Sequence, residues 1–387
     1  MQKNKEPTCL VWRQIDLNAI GHNIKTLKSL TRDETAFMAV VKADAYGHGA
    51  VRVSKKALES GATHLGVARV HEALELREAG ISAPILVFGY ILEREVDKLM
   101  TLGITATVSD LETASMLSER AVARSTTLKA HLKVDTGMGR LGILPDSRRA
   151  DSKEGAALDE AAAIAALSGL ELEGIYTHFA AADSRDKSYS LYQLQTFMEF
   201  VQALKDRGIR FPLVHGANSA ALMELARTHL NMVRAGIAIY GLAPSGEVDI
   251  GHLNLKPAME IRSIVSSVKE VPALFKVSYG MTYATQKKTV IAAVPIGYAD
   301  GFSRLFSSRG EMIVRGRRAT IAGRVCMDQT LIDVGEIPGV TPGDSVVILG
   351  SQGRESITAD QMAETLGTIN YEVVSSLTAR VPQIYSE

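Results

Sequence analysis

Cysteine is nearly missing from this chain: Cys9 and Cys326 are the only two in 387 residues, far apart and in no CxxC spacing. That excludes a disulfide framework and gives no sign of a metal site; Cys9 is expected to be an inert thiol. No stretch approaches the length needed to span a bilayer, and the opening "MQKNKEPTCLVWRQIDL" holds charges but no apolar run of signal-peptide length, so a cytoplasmic location is expected. An excess of either charge is also lacking, since Lys+Arg and Asp+Glu balance at 43 each. Neutrality argues against a nucleic-acid or membrane-surface partner. No internal repeat is evident, and no GxGxxG turn follows the first β-type run, which removes the main signal for an open dinucleotide-binding sheet.

What is present is enough chain for two domains or a large barrel with an appendage, with 46% apolar and 22% charged residues. Between about residues 36 and 236, short apolar runs alternate with helical spacings. The eight runs are "AFMAVVKA", "THLGVAR", "PILVFG", "ITATVS", "LKAHLKV", "LEGIYTHF", "FPLVHG" and "NMVRAG". This alternation predicts an α/β fold, an N-terminal (β/α)8 TIM barrel over residues 14–250. Residues 145–169 read as a polar insertion leading into the helix before the sixth strand.

From about residue 255 the pattern changes to β runs without long helices, and a mainly-β C-terminal domain is expected over 251–387, joined by an N-terminal strand at 8–13. The runs include "MEIRSIVSSVKEV", "KTVIAAVPIGYADG", "EMIVRGRRATIAG" and "RVCMDQTLIDVG"; a helix "TADQMAETLG" and a β-like "YEVVSSLTARVP" close the chain.

Chemistry in such a barrel sits at the C-terminal ends of the strands. Lys42 leaves the first run, Arg140 follows the fifth, His178 ends the sixth, "HGANSA" follows the seventh and "RAGIAIYG" ends the eighth. Singly, each has a bland reading: a solvated strand end, a core histidine, a tight turn, a helix cap. Their joint placement toward one mouth is the informative feature. Ser219 and the glycine of "RAGI" suit the phosphate cradle expected after strands seven and eight. A phosphorylated ligand facing a lysine suggests pyridoxal phosphate held as a Schiff base, because a lysine leaving a buried strand is desolvated enough to lose its proton part of the time.

With these residues in view, the whole chain resembles the alanine racemases, the barrel-type pyridoxal-phosphate enzymes. "AVVKADAYGHG" is similar to the family's cofactor-lysine signature, and further matches follow in order: "KVDTGMGRLG", "THFAAAD", "HGANSA", "NMVRAGIAIYG", "VSYG", "PIGYADGFSR", "GRVCMDQTLIDV" and "INYEVV". The resemblance implies racemisation of L- and D-alanine by a homodimer with shared active sites, supplying D-alanine for the cell wall. It makes Lys42 the cofactor lysine and the base on one face of the substrate, and Tyr279 of the second subunit the base on the other. An unperturbed phenol is a poor base at neutral pH, so His178 and Arg234 are implied to support its ionised form, with Arg234 also facing the pyridine nitrogen.

The resemblance also assigns Tyr46, Ser219, Gly236, Ile237 and Tyr371 to the cofactor phosphate. Arg140 and Met327 would meet the substrate carboxylate, and Lys133 matches a lysine that is carbamylated in this family. Tyr298, Arg304, Arg324 and Asp183 would line a narrow access corridor. Without the family match, Tyr279, Cys326, Met327 and Tyr371 read more simply as packing residues.

Three rivals share parts of this pattern. A non-catalytic pyridoxal-phosphate-binding barrel would lack the second domain and "VSYG". A barrel-type amino-acid decarboxylase would carry an acid where this chain has Arg234. A broad-specificity or serine racemase would have the same two bases and differ only in the corridor.

Overall fold

The chain's strands begin with β1 (Val11–Asp16), followed by eight apolar strands: β2 (Ala36–Val40), β3 (His64–Val67), β4 (Ile85–Val87), β5 (Ala106–Val108), β6 (Leu128–Lys133), β7 (Leu170–Tyr176), β8 (Leu213–His215) and β9 (Met232–Ala235). The computed structural model describes residues 9–148 and 155–387. The eight strands pair in parallel in the order β4-β3-β2-β9-β8-β7-β6-β5. A bridge between Leu86 and Thr105 joins the two ends, with the Val87 amide donating to the Thr105 carbonyl at 3.0 Å. The eight runs therefore form a nearly closed barrel.

This barrel unit comprises Ala19–Ala45 and Ala50–Lys256. Its strands are short and mostly buried, as expected where helices cover the outside and side chains fill the inside. The helices obey their local signals. Asp110 caps Leu111–Ala123 by accepting from the Thr113 amide, and Ser188–Asp206 buries Leu194, Phe197, Phe200 and Leu204 at helical spacing. Of the insertion read at 145–169, residues 149–154 lie outside the described residues, and the helix that follows spans Ala156–Ala165.

The other unit takes residues 9–18, Tyr46–Gly49 and Pro257–Glu387. Its strands are β10 (Met259–Ile264), β11 (Ser267–Val271), β12 (Lys276–Val277), β13 (Tyr283–Ala284), β14 (Thr289–Val294), β15 (Glu311–Val314), β16 (Arg317–Ile321), β17 (Thr330–Asp333), β18 (Ser345–Gln352), β19 (Glu355–Ile357) and β20 (Gln383–Ser386). The main sheet runs β11-β14-β17-β16-β15-β18-β10-β1-β20, mostly antiparallel, with β19 on β18 and a separate β12-β13 hairpin. β1 lies between β10 and β20 and pairs in parallel with β20.

Two expected runs fold differently. "YEVVSSLTARVP" begins as a helix, Asn370–Ser375, because burying Val373 and Val374 together outweighs their strand preference; β20 comes later. In "RVCMDQTLIDVG" only Thr330–Asp333 is strand, and the preceding residues turn back, with the Cys326 amide donating to Gln329 O at 2.9 Å.

Arg13 ties this unit together. Although buried, it donates from Nε and Nη2 to Val381 O at 3.0 and 2.7 Å, and from Nη1 to Gly47 O at 2.9 Å. Arg13→Ala leaves those carbonyls without a charged donor and should lower the free energy of unfolding by about 3 kcal/mol. Urea denaturation of the two proteins checks this, and a change within about 0.5 kcal/mol would contradict it.

Candidate active site

Strand β2 ends at Val40, two residues before Lys42, and the chain then makes a left-handed turn. Ala43, Asp44, Ala45 and Tyr46 all have φ 53°, followed by Gly47 at φ 81°. Each non-glycine residue in this conformation costs about 1–2 kcal/mol, so the surroundings must impose it. Glu72 does part of this, accepting from the Ala43 amide at 2.6 Å and from the Ala68 and Arg69 amides. Asp44 accepts from the Ala50 amide at 2.8 Å. The turn presents Lys42 at the strand end with its amine pKa lowered, first by burial and then by the Arg140 charge, with Glu72 acting oppositely.

β2 pairs with β9 in the register Met38 to Arg234 and Ala39 to Ala235. Barrel closure thus brings residues nearly 200 positions apart onto adjacent strands. Arg234 is 4% exposed. Its Nη2 donates to Thr177 O at 2.8 Å and Gly216 O at 3.0 Å, and approaches His178 Nδ1 at 3.3 Å; its Nη1 donates to His215 Nδ1 at 2.7 Å. A guanidinium only donates, so both imidazoles offer it a lone pair and carry their own proton on Nε2.

Burial and the neighbouring Arg234 charge push both His178 and His215 well below the usual imidazole range. Burial also lowers the Arg234 guanidinium to about 10, still cationic at neutral pH. The cation of this group is therefore Arg234, with His178 neutral beside it.

The Tyr176 ring stacks on His215 at 4.8 Å and 2°, with the Arg234 guanidinium 5.2 Å and Lys133 Nζ 4.4 Å from its centre. Lys133 is buried, and its amine pKa falls well below the usual value through burial, then Arg234 and Arg140.

Ser219 Oγ accepts from the Gly236 amide at 2.8 Å and the Ala238 amide at 3.4 Å, joining the turns after β8 and β9. The helix cap there is Asn218, which accepts from the Ala221 amide, so the Ser219 hydroxyl is left to the cradle. Gly236 precedes the short helical turn Ile237–Tyr240 that follows β9. Arg140 is exposed and follows a turn in which Asp135 takes the amides of Gly137, Met138, Gly139 and Arg140. Asp183 is partly buried, its carbonyl accepting from Ser245 Oγ.

In the other unit, Tyr46 and Tyr371 lie with ring centres 6.1 Å apart, and burial raises the Tyr46 phenol so that it stays protonated. Tyr279 sits in the loop of the β12-β13 hairpin and is 70% exposed. Its loop is strained: Ser278, Gly280 and Met281 have φ 63°, 69° and 52°. The Ser278 hydroxyl donates to Arg324 O at 2.5 Å. Tyr298 and Met327 are also exposed, on two segments linked by Tyr298 N to Cys326 O and Ala299 N to Met327 O, each 3.0 Å. Arg304 is exposed in a short helical turn.

Residues 15–244 match the alanine racemase N-terminal domain family and residues 258–385 the alanine racemase C-terminal domain family. The chain belongs to the alanine racemase family. An alanine racemase of Desulfosudis oleivorans is 52% identical over 97% of this chain and 96% of its own length, and one of Methanococcus maripaludis is 48% identical over 97% and 98%. The solved alanine racemase of Clostridium difficile 630 superposes with a TM-score of 0.92 at 37% identity, covering 99% of this chain and 97% of that one. The protein is accordingly an isomerase, an amino-acid racemase whose substrate is alanine. Its family uses pyridoxal phosphate, and the lowered Lys42 amine and the Ser219–Gly236 cradle are suited to an aldehyde and a phosphate.

Sequence reading passed over His215 and Tyr176, which complete the Arg234 surroundings in this racemase. The available signal was a histidine at the end of "PLVH" and a tyrosine two before His178, both inside apolar strands. Among the described residues no helix is long and apolar enough to cross a membrane.

The neutral histidines make a prediction. Burial lowers the folded-state pKa of His131, His178 and His215 below the ordinary value of 6.5. Their effect on stability is therefore nil above that pH and grows unfavourable as pH falls beneath it, where the unfolded chain takes up protons first. Between pH 6.5 and 5 the unfolding free energy should fall by up to about 1.4 kcal/mol per pH unit for each histidine. Urea titrations across that window check the slope.

Proposed function

We propose that the protein interconverts L- and D-alanine with pyridoxal phosphate as cofactor, by a two-base mechanism, as a homodimer in which Tyr279 of one copy serves the Lys42 site of the other. The observation that carries this reading is Lys42 at the end of β2, whose charge is disfavoured by burial and by Arg140, so that Nζ gives up its proton more readily than an exposed lysine. When bound, the cofactor withdraws electrons from the substrate and acidifies its Cα–H bond. Lys42 Nζ then takes or returns the proton on one face. The Tyr279 hydroxyl does so on the other, since a single base would tend to restore the starting enantiomer.

Tyr279 is a large aromatic held in solvent on a strained loop, which is reasonable for a side chain completed by a second copy. Arg234 is assigned to the pyridine nitrogen. A guanidinium donates without giving up its proton, leaving that nitrogen unprotonated and its electron withdrawal modest. Ser219, Gly236, Ile237, Tyr46 and Tyr371 are assigned to the phosphate, and Arg140 and the Met327 amide to the alanine carboxylate. Lys133 is assigned as a carbamate: its neutral amine adds to carbon dioxide with loss of a proton, and Arg234 and Arg140 favour the resulting anion. Tyr298, Arg304, Arg324 and Asp183 are assigned to the corridor that limits side-chain size.

A racemase of wider substrate range is the second reading. It is favoured by the similarity, at 27% identity and a TM-score of 0.87, to a histidine racemase of Leuconostoc mesenteroides.

Lys42→Ala should abolish racemisation in both directions, followed by polarimetry with added pyridoxal phosphate; retained activity would defeat the assignment. Tyr279→Phe should lower kcat/KM for racemisation about a hundredfold or more, equally in both directions because the enantiomers have equal free energy, while exchange of the Cα proton with solvent deuterium without inversion is kept for the one enantiomer that faces Lys42. Wild-type rates in both directions would remove Tyr279 from the mechanism. On dilution, specific activity should fall as the monomer appears in sedimentation.

A further inference from the structure

Arg234 is a buried cation whose direct hydrogen-bond partners are two carbonyls and two neutral imidazoles, none of them a carboxylate. A buried charge without a counter-charge is costly. Besides the carbamate proposed at Lys133, one exists at the far end of a polar file that begins at His215. His215 Nε2 lies 2.8 Å from His131 Nδ1, and His131 Nε2 faces Glu173 Oε1 at 3.8 Å. Glu173 in turn accepts from Thr105 Oγ1 and Lys129 Nζ, both at 2.9 Å.

The donors run in one direction only. Arg234 forces the lone pair of His215 onto Nδ1, so its proton is on Nε2 and points at His131 Nδ1. His131 must therefore accept there, and its own proton on Nε2 points at the Glu173 carboxylate. That last separation exceeds a hydrogen bond and acts electrostatically. Although burial opposes it, the nearby His131 N–H and donation from Lys129 and Thr105 keep the Glu173 carboxyl at about 2, so the charge is present throughout the physiological range. His64 also faces this end, and burial keeps it low, so Lys129 is the cation paired with Glu173 there.

The chain is built for this arrangement in two further ways. The pairing of β6 with β7 slips between Ala130 and His131: Leu172 lies opposite Ala130 and Gly174 opposite His131, leaving Glu173 as the extra residue of a bulge. Bulges re-aim side chains. The next residue, Gly174, is the only type that fits, because a Cβ there would lie 2.6 Å from the His131 ring. His131 and His215 are 2% and 0% exposed, so neither proton is set by solvent.

We propose that His131 and Glu173 are positioning residues for Arg234: the guanidinium fixes the His215 tautomer from one end, and the remote carboxylate orients His131 from the other, so that the His215 ring is held with its Nδ1 lone pair against the guanidinium. The effect on turnover rests on the reading of Arg234 given above, while the orientation of the imidazoles does not.

The test uses the full chain labelled with 15N-histidine, with signals assigned by removing one histidine at a time. In the wild type, His131 and His215 should each show a protonated Nε2 and an unprotonated Nδ1 from pH 6 to 9, with and without pyridoxal phosphate. Glu173→Gln should mix the tautomers of His131, drawing its two nitrogen shifts together while His215 stays fixed by Arg234, and lower kcat about tenfold with the KM for alanine nearly unchanged. Glu173→Asp, which keeps the charge, should recover most of both. Imidazolium or Nδ1-protonated rings in the wild type, or a wild-type His131 tautomer or turnover in Glu173→Gln, would overturn the proposal. A wild-type protein that shows these tautomers but does not racemise alanine would count against the proposed function instead.

Discussion

One buried guanidinium organises the barrel interior. Arg234 needs acceptors, and the fold gives it the carbonyls of Thr177 and Gly216 and the lone pairs of two imidazoles. Because it cannot accept, it decides the protonation of His178 and His215, and it depresses Lys133 by its charge. The two imidazoles beside this cation are thus neutral bases, an arrangement that holds a positive charge at one place without spreading protons onto them.

Backbone strain serves a similar purpose at the two residues proposed as bases. Lys42 leads into four non-glycine residues in the left-handed region, held by Glu72 and Asp44, and Tyr279 lies between Ser278 and Gly280, both at positive φ. Such conformations persist only where surrounding contacts over-determine them. In both places, the contacts come from polar groups that fix backbone direction: carboxylates in one unit, and the Ser278 hydroxyl on the Arg324 carbonyl in the other.

Membership of the alanine racemase family explains why such rigidity is useful. Racemisation moves a proton at a single carbon, so the groups that handle it must be held in place, and a small displacement slows both directions alike. Narrow specificity is a separate matter of the residues around the access path. The similarity to a histidine racemase at a TM-score of 0.87 indicates that the same fold surrounds larger side chains as well.

Much of this was legible in the linear chain. The barrel follows from eight apolar runs separated by helical spacings, because parallel strands buried on both faces must be continuously apolar. Lys42, Arg140, His178, Ser219 and Arg234 were recognisable as polar residues at strand ends. The valines at 373 and 374 misled, since strand preference yields to burial against a helix face. The neutrality of His178, the left-handed turn after Lys42 and the file from Arg234 through His215 and His131 to Glu173 were not legible. Each depends on which groups closure of the barrel sets at hydrogen-bond distance, through registers such as Met38 with Arg234 and the bulge at Glu173. Sequence determined the kinds of group available; tertiary structure decided their charge and direction, because protonation inside a protein is set by neighbours rather than by residue type.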